Sequence, residues 1–164
     1  AVARARGIGK IIVGGRKPAK LEIAQKLGAD ILVDMTKENL VDVVMRETNG
    51  MGADMVLDST GAPSVLNDSM LMLRGSGKLV IPAFYEQLLN GIKLDRLIVK
   101  NCTLVGSAGT PNQMDKILSL LSSGKLDLSP MITDRFSFDH VKEAFAAVTE
   151  RNDHRIKVMV DFEA

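Results

Sequence analysis

The sequence has little of the chemistry that many small domains use for stability or catalysis. Of its 164 residues, one is cysteine, two are histidine, one is tyrosine and none is tryptophan. A single cysteine excludes a disulfide framework or a cysteine-based zinc site within one chain, and it is typical of a reducing compartment. We therefore expect a cytoplasmic protein whose stability comes from a hydrophobic core.

Long apolar runs and a strong net charge are also missing. No stretch is apolar for long enough to cross a bilayer, and no signal-peptide pattern is present. The formal net charge is +1, so no overall field attracts nucleic acid or a membrane surface, and we expect neither as a partner. The length suits one domain of ordinary size, and 46% of the residues are hydrophobic.

Short apolar runs do recur, at a spacing of 20–24 residues. They lie at 10–13, 30–33, 54–57, 78–81 and 102–105. This spacing leaves room for a crossover helix between successive strands. Because the runs are apolar throughout rather than alternating, we expect strands covered on both faces, as in the parallel sheet of an α/β protein.

Helix signals lie between these runs. We predict a helix from Pro18 to a stop at Gly28, and another over 37–49 with Thr36 as its cap. A third helix is predicted from Pro63 to a stop at Gly75. Strands and helices therefore alternate, which predicts a doubly wound parallel sheet of the Rossmann type.

The last part of the chain has a different pattern. Thr110-Pro111-Asn112-Gln113 predicts a capped helix that ends at Gly124. Beyond about Ser129, an extended piece, an amphipathic helix and a final strand over 156–162 follow. We therefore predict a dinucleotide-binding domain over 1–128 and a tail over 129–164 that packs elsewhere.

The stretch Val13-Gly14-Gly15-Arg16-Lys17-Pro18 is the most informative in the chain. In a dinucleotide-binding fold, the tip of the second strand meets the adenosine ribose. An acid there accepts hydrogen bonds from the ribose hydroxyl and favours NAD, whereas a cation favours the 2′-phosphate of NADP. No acid lies between Val13 and Glu22, and both Arg16 and Lys17 are cations. The sequence therefore predicts NADP(H) as cofactor, with NAD(H) less favoured.

Several further segments occur in an order that identifies a family resemblance. They are Ala3-Arg4-Ala5-Arg6-Gly7-Ile8-Gly9-Lys10, Gln25-Lys26-Leu27-Gly28-Ala29-Asp30, Asp58-Ser59-Thr60-Gly61, Val105-Gly106-Ser107 and Ile156-Lys157-Val158. With them, the chain resembles, along essentially its whole length, the carboxyl-terminal half of zinc-type medium-chain alcohol and polyol dehydrogenases. Its Gly15-Arg16-Lys17-Pro18 turn is similar to the Gly-Ser-Arg-Pro turn of NADP-dependent secondary alcohol dehydrogenases, with Arg16 in place of the serine.

The resemblance implies cofactor contacts at both ends of the chain. Gly15 would leave room at the ribose, and Arg16 and Lys17 would face the 2′-phosphate. Lys157 stands where the family places a cation that reaches the pyrophosphate.

It also implies contacts in the middle of the chain. The turn after the strand at 54–57 would lie near the ribose and pyrophosphate, and it consists of Ser59, Thr60 and Gly61. Two later loops resemble those whose backbones hold the nicotinamide carboxamide, and their residues are Ala83, Phe84, Ser107 and Gly109.

The same family has parts that this sequence does not contain. These are the glycine-rich turn, the first strand, and an amino-terminal catalytic domain with the zinc ligands. We therefore expect a Rossmann domain without its first strand, in which the strands at 10–14 and 54–58 each lack a partner. Three arrangements stay open: the rest of the protein supplies the strand, the two strands pair directly, or another chain fills the gap.

The remaining candidate residues favour structural roles. His140 and His154 are expected at the surface rather than on a metal, and Cys102 is expected to be an inert core thiol. Asp58 is interpreted as a turn-bonding residue. Tyr85 is interpreted as a loop-packing residue, with a place in a substrate pocket as the alternative.

The function implied is hydride transfer between a small alcohol or ketone and nicotinamide. This chain would hold the cofactor, without the zinc, and would be inactive alone. A non-catalytic nucleotide-binding module is the alternative, and a methyltransferase is disfavoured because such enzymes keep an acid near Gly15. The strand at 102–106 is expected to be an apolar sheet edge through which the protein forms a homo-oligomer.

Overall fold

Helices and strands alternate along the chain in a computed structural model that describes residues 1–109 and 113–162. The α-helices are α1 (Val2–Ala5), α2 (Pro18–Lys26), α3 (Leu40–Glu47), α4 (Pro63–Met72), α5 (Asp95–Val99), α6 (Met114–Ser122) and α7 (Val141–Thr149). The strands are β1 (Ile12–Gly15), β2 (Ile31–Asp34), β3 (Ala53–Leu57), β4 (Leu73–Ile81), β5 (Thr103–Gly106), β6 (Ile132–Ser137) and β7 (Lys157–Asp161). The five predicted apolar runs are all confirmed as strands.

The strands form parallel sheets with the neighbour relations of a Rossmann-like α/β fold. Their orders are β1-β2, β3-β4-β5 and β6-β7, and every pair is parallel. The first two sheets match strands 3-2 and 4-5-6 of the doubly wound order. Among the described residues, β1 pairs with β2 alone and β3 with β4 alone, so both are edge strands as expected, and they do not pair directly with each other.

The chain divides into two compact units. The first unit comprises Ala1–Lys37 and Met114–Ala164, and the second comprises Glu38–Gln113. Each unit therefore contains its own sheet or sheets. The boundary between 128 and 129 remains a prediction, because this division concerns compactness and not the attachment of the tail.

The core of the second unit lies between α4 and one face of the β3-β4-β5 sheet. Leu66 and Met70 of α4 pack with Leu73 and Leu79 of β4, and all four are buried. Partly buried side chains surround this cluster: Val56, Ile81, Tyr85, Leu89, Ile92, Leu97 and Cys102. Met70 is among the most deeply buried of these side chains, at 1% exposure.

The first unit combines a strand–helix–strand segment at each of its ends. Helix α2 buries Leu21 beside β1 and β2, and Gly28 ends this helical segment with a φ of +100°, as predicted. Helix α7 connects β6 to β7 and packs on both through Ala144 and Ala147. The extended piece predicted near 130–136 is thus a strand paired in parallel with the last strand.

Two predicted helix ends are wrong. Helix α3 is capped by Asn39, whose side chain accepts hydrogen bonds from the backbone nitrogens of Val41 and Asp42, rather than by Thr36. Helix α4 ends at Met72, and Gly75 lies inside β4. The pairing of β3 with β4 shifts register after Leu73, so that residues 74–77 lie opposite Asp54 alone and three additional residues are accommodated without ending the strand.

The expected coverage of the strands on both faces is also wrong for β3 and β5. Met55 and Leu57, which alternate with the core residue Val56, are 56% and 63% exposed. All four residues of β5 are exposed, and β5 is the edge of its sheet, as predicted. Continuous apolar runs therefore overestimated the coverage within this chain. Most of the predicted cap at Thr110–Gln113 lies outside the described residues.

Candidate cofactor-binding site

Seven of the predicted cofactor contacts follow the carboxyl ends of neighbouring parallel strands in the second unit. Ser59, Thr60 and Gly61 follow β3, Ala83 and Phe84 follow β4, and the last two are Ser107 and Gly109 after β5. Because the strands are parallel, these turns lie along one edge of the sheet, which is where open α/β sheets bind ligands. The Ser107 nitrogen donates to the Ile81 carbonyl at 2.9 Å and continues the β4–β5 pairing into the loop.

Gly61 holds two of these turns in close contact. A Cβ atom at this position would lie 2.7 Å from the Phe84 carbonyl oxygen. The φ of Gly61 is +66°, a backbone conformation that L-residues with side chains rarely adopt. At Gly61 the turn after β3 therefore contacts the loop after β4 through its backbone, and only glycine fits there.

The buried side chain of Asp58 connects the same two segments by hydrogen bonds. It is 2% exposed, and its Oδ1 accepts hydrogen bonds from the Thr60 nitrogen at 2.9 Å and from the Thr60 hydroxyl at 2.7 Å. Its Oδ2 accepts a hydrogen bond from the Tyr85 hydroxyl at 3.1 Å. This pattern confirms turn bonding by Asp58, and it links the turn after β3 to Tyr85 in the loop after β4.

Tyr85 packs its ring against the core cluster, which confirms the loop-packing interpretation. Burial, together with the nearby Asp58 carboxylate and the hydrogen bond to it, raises the pKa of the Tyr85 hydroxyl to about 12. Tyr85 is therefore a neutral donor to Asp58 at ordinary pH. The sequence did not reveal this bond, because nothing local indicates that residues 58 and 85 meet.

The side chains of this region that face outward are open. Ser59 and Thr60 are exposed, and Phe84 is 80% exposed. The strand ends thus combine a buried anchor, Asp58, with exposed polar and apolar side chains. A ligand could contact both backbone and side chains there.

The cationic turn belongs to the first unit, and none of the residues that the structure describes forms a comparable buried anchor for it. Gly15 ends β1, and a Cβ there would lie 3.0 Å from the Leu21 Cδ2 atom. Arg16 is exposed and has no ion pair or hydrogen bond with any residue that the structure describes. Its guanidinium is thus available for an anion at the carboxyl end of β1.

Lys17 is already engaged. It is the residue before α2, and its Nζ lies 2.5 Å from Oδ1 of Asp153 in the loop between α7 and β7. Sequence reasoning missed Asp153, because no local motif connects it with a turn so far away in the chain. Lys157 is exposed at the amino end of β7, so it alone among the predicted contacts does not follow the carboxyl end of a strand.

The predicted structural residues are located as follows. His140 and His154 are exposed, and the His140 Nδ1 atom lies 2.8 Å from the Ser137 hydroxyl. Cys102 is a free, partly buried thiol next to the core cluster. Across residues 1–109 and 113–162, no group of three or more His, Cys, Asp or Glu side chains is arranged to hold a metal ion. The described residues therefore do not fit a zinc site.

In the second unit, a glycine turn that only backbone can approach lies at the carboxyl end of β3. In the first unit, an exposed guanidinium lies at the carboxyl end of β1. Each is a kind of group that can bind part of a phosphate-containing ligand.

Comparison with known proteins identifies the family. A family model described as zinc-binding dehydrogenase matches residues 1–123. The chain belongs to this family. It corresponds to the carboxyl-terminal half of zinc-type medium-chain dehydrogenases, as the sequence resemblance implied, and membership removes the methyltransferase alternative.

Individual dehydrogenases give the same result. The chain is 32% identical to D-arabitol-phosphate dehydrogenase of Enterococcus avium over 98% of its own length and 46% of that protein. The crystal structure of 2R,3R-butanediol dehydrogenase from Bacillus subtilis superposes with a TM-score of 0.88 at 26% identity, covering 98% of this chain and 46% of the other. The chain thus spans about half the length of the relatives it matches.

Solved structures of the same fold carry both nicotinamide cofactors. An alcohol dehydrogenase from E. coli CFT073 (TM-score 0.85, 22% identity, 96% of this chain and 46% of the other) is complexed with NADH. A zinc-binding dehydrogenase from Sinorhizobium meliloti 1021 (TM-score 0.83, 22% identity, 97% and 47%) is bound to NADP. The likeness itself therefore does not select one cofactor. No helix in the described part of the chain is long and apolar enough to span a membrane.

Proposed function

We propose that this chain is the cofactor-binding part of an NADP(H)-dependent zinc-type alcohol or polyol dehydrogenase. The observation that supports NADP(H) is the turn after β1, where two cations and no acid follow the strand. Nicotinamide, when bound, accepts or delivers the hydride, and a small alcohol or ketone is the proposed substrate of the whole protein. The names of the two relatives above, a sugar-alcohol-phosphate and a diol dehydrogenase, support this substrate class.

The first unit supplies the proposed selectivity for the additional phosphate. Arg16, with its free guanidinium, would hold the 2′-phosphate by a charge-assisted pair of hydrogen bonds. Lys17 would add a second positive charge, and Gly15 leaves room because it has no side chain. Lys157 is proposed to reach the pyrophosphate.

The second unit supplies the proposed contacts along the rest of the cofactor. The turn over Ser59, Thr60 and Gly61 would hold ribose and pyrophosphate, with its shape fixed by Asp58. The backbones at Ala83, Phe84, Ser107 and Gly109 would orient the nicotinamide carboxamide.

Two surfaces support proposals about the intact protein. Residues 129–164 would pack on the catalytic half, since Phe145 and Val148 of α7 are 71% and 63% exposed. The exposed apolar edge β5 would join a second copy, with Leu104 at 45% exposure. Light scattering on the intact protein distinguishes this homo-oligomer from a monomer.

The free thiol of Cys102 suits a reducing compartment such as the cytoplasm.

Titration of the intact protein with NADPH and NADH tests the proposed cofactor. We expect tighter binding of NADPH, and we expect Arg16→Asp to weaken NADPH by about ten- to hundredfold, the value of a lost charge-assisted hydrogen bond. NADH lacks the phosphate, so its affinity should change far less.

Lys26→Asp is the matched control. It makes the same charge change on an exposed residue at the opposite end of α2, and it should leave the ratio of the two affinities unchanged. Equal affinities in the unaltered protein, or parallel losses in Arg16→Asp, would contradict the NADP(H) assignment.

A further inference from the structure

The cationic turn is joined to one acidic side chain from a distant part of the sequence. Asp153 lies in the loop between α7 and β7, and its Oδ1 is 2.5 Å from the Lys17 Nζ atom. The side chains of Lys17 and Asp153 are 38% and 56% exposed. Both residues belong to the first unit. Lys17, which the proposed function assigns to the 2′-phosphate, thus already has an anionic partner.

Asp153 stands among positive charges. Lys17, Arg151 and His154 all act on its carboxylate, and the hydrogen bond from Lys17 is the main reason that the pKa of Asp153 lies below its ordinary value. A phosphate monoester carries about −1.5 to −2 charges at neutral pH, and it would seek the same cations. A carboxylate within hydrogen-bond distance of Lys17 would compete for the ammonium and repel that phosphate.

We propose that Asp153 is a specificity-determining residue that competes with the cofactor's 2′-phosphate for Lys17 and so limits the preference for NADP(H). This inference rests on the proposed function, because it requires the phosphate to lie at the turn after β1. Arg16 would make the permanent contact with the phosphate. Lys17 would make a contact that depends on the release of Asp153, and NADH would bind without disturbing the Lys17–Asp153 pair.

A purely structural role is the competing explanation for the pair. It would make the pair a clamp that holds the loop between α7 and β7 against the turn. Exposed ion pairs contribute little to stability, so a clamp made only of these two side chains would be weak. The two roles also predict opposite changes in NADPH affinity when Asp153 is replaced. Loss of a clamp would disorder Lys17 and weaken NADPH binding, whereas loss of a competitor would strengthen it.

The test measures dissociation constants of the intact protein for NADPH and NADH with and without Asp153→Asn. We expect the variant to bind NADPH about three- to fivefold more tightly, the range that an exposed ion pair supplies, with NADH unchanged within about twofold. Asp161→Asn is the matched control, because it removes the same charge from another exposed pair, Arg135–Asp161 at 2.9 Å, at the carboxyl end of β7. It should alter neither affinity.

A second pair of variants shows whether Asp153 acts through Lys17. In a Lys17→Gln background, Asp153→Asn should give a clearly smaller gain in NADPH affinity, because the contested ammonium is gone and only the direct repulsion of the phosphate is relieved. Weaker NADPH binding in Asp153→Asn, an unchanged affinity ratio, or an equal gain without Lys17 would each overturn the inference while leaving the proposed function intact. If the unaltered protein does not prefer NADPH, the proposed function itself fails, and the inference fails with it.

Discussion

The turns that follow β1 and β3 are both proposed to contact one cofactor, yet they are built by different physical means. The turn after β1 is cationic, and within the described part of the chain its charged side chains make one surface ion pair, Lys17–Asp153. The turn after β3 is fixed by the buried carboxylate of Asp58 and by the close backbone contact at Gly61. Charge can therefore select a ligand at one turn, while packing sets the shape of the other.

A closer comparison lies between two copies of the same short motif. Asp34 is the last residue of β2 and Asp58 directly follows β3, and each accepts hydrogen bonds from the nitrogen and the hydroxyl of the threonine two residues later. Hydrogen bonds from Thr36 hold the pKa of Asp34 below its ordinary value, and its side chain is partly buried, at 19% exposure. Asp58 is buried and has Tyr85 as a third donor. Burial, and not the motif, distinguishes the two.

The largest expected effect comes from Gly61→Ala. Its Cβ would lie 2.7 Å from the Phe84 carbonyl oxygen, at a φ of +66°. We expect a loss of about 3 kcal/mol in the free energy of unfolding, from the left-handed backbone and from overpacking together. Chemical denaturation of the intact protein measures it, and cofactor affinity should fall with it.

Gly91→Ala is the control that separates these two causes. Gly91 has a similar φ of +72°, but nothing lies within 4 Å of a Cβ built there. Gly91→Ala should therefore lower the free energy of unfolding only by the cost of the left-handed backbone, about 1–2 kcal/mol. Equal losses in both variants would show that the contact with Phe84 is unimportant.

A smaller effect is expected from Asp58→Ala. This variant leaves the Thr60 nitrogen and the Tyr85 hydroxyl without their acceptor, which should cost about 2 kcal/mol of unfolding free energy. Asp34→Ala removes the same motif at a site that is less buried, with a side chain 19% exposed, where water can partly replace the carboxylate, so its loss should be smaller. Similar losses in the two variants would refute the role assigned to burial.

The smallest expected effect is that of Tyr85→Phe, at about 1 kcal/mol for one hydrogen bond. The folded-state pKa of about 12 lies above the value of about 10 for an unfolded chain. The stabilisation from the Tyr85–Asp58 hydrogen bond is therefore fully present below about pH 10 and is lost as the pH rises towards about 12. The stability difference between the unaltered protein and Tyr85→Phe should shrink over that range, and a tyrosinate absorbance change centred near pH 10 in the folded protein would contradict it.

Much of the fold was predictable from local pattern. The five apolar runs became strands, and Gly28 ended its helix, because strand and helix signals act over a few residues. The predicted helix start at Thr36 was wrong for a local reason, because the Thr36 hydroxyl donates to Asp34 two residues earlier and Asn39 caps α3 instead. The predicted helix end at Gly75 was wrong for a tertiary reason, because pairing with β3 keeps Gly75 within β4. The coverage of β3 and β5 could not be read from their composition.

The sequence by itself determined which chemical groups follow each strand: two cations after β1, an aspartate and a glycine after β3, and a lone thiol before β5. Only the tertiary structure decided that Asp58 is fully buried while Asp34 stays partly exposed, that Asp58 meets Tyr85, and that Lys17 meets Asp153. The physical reason is that burial and long-range pairing depend on sheet register and helix packing, which bring together residues that no local pattern relates.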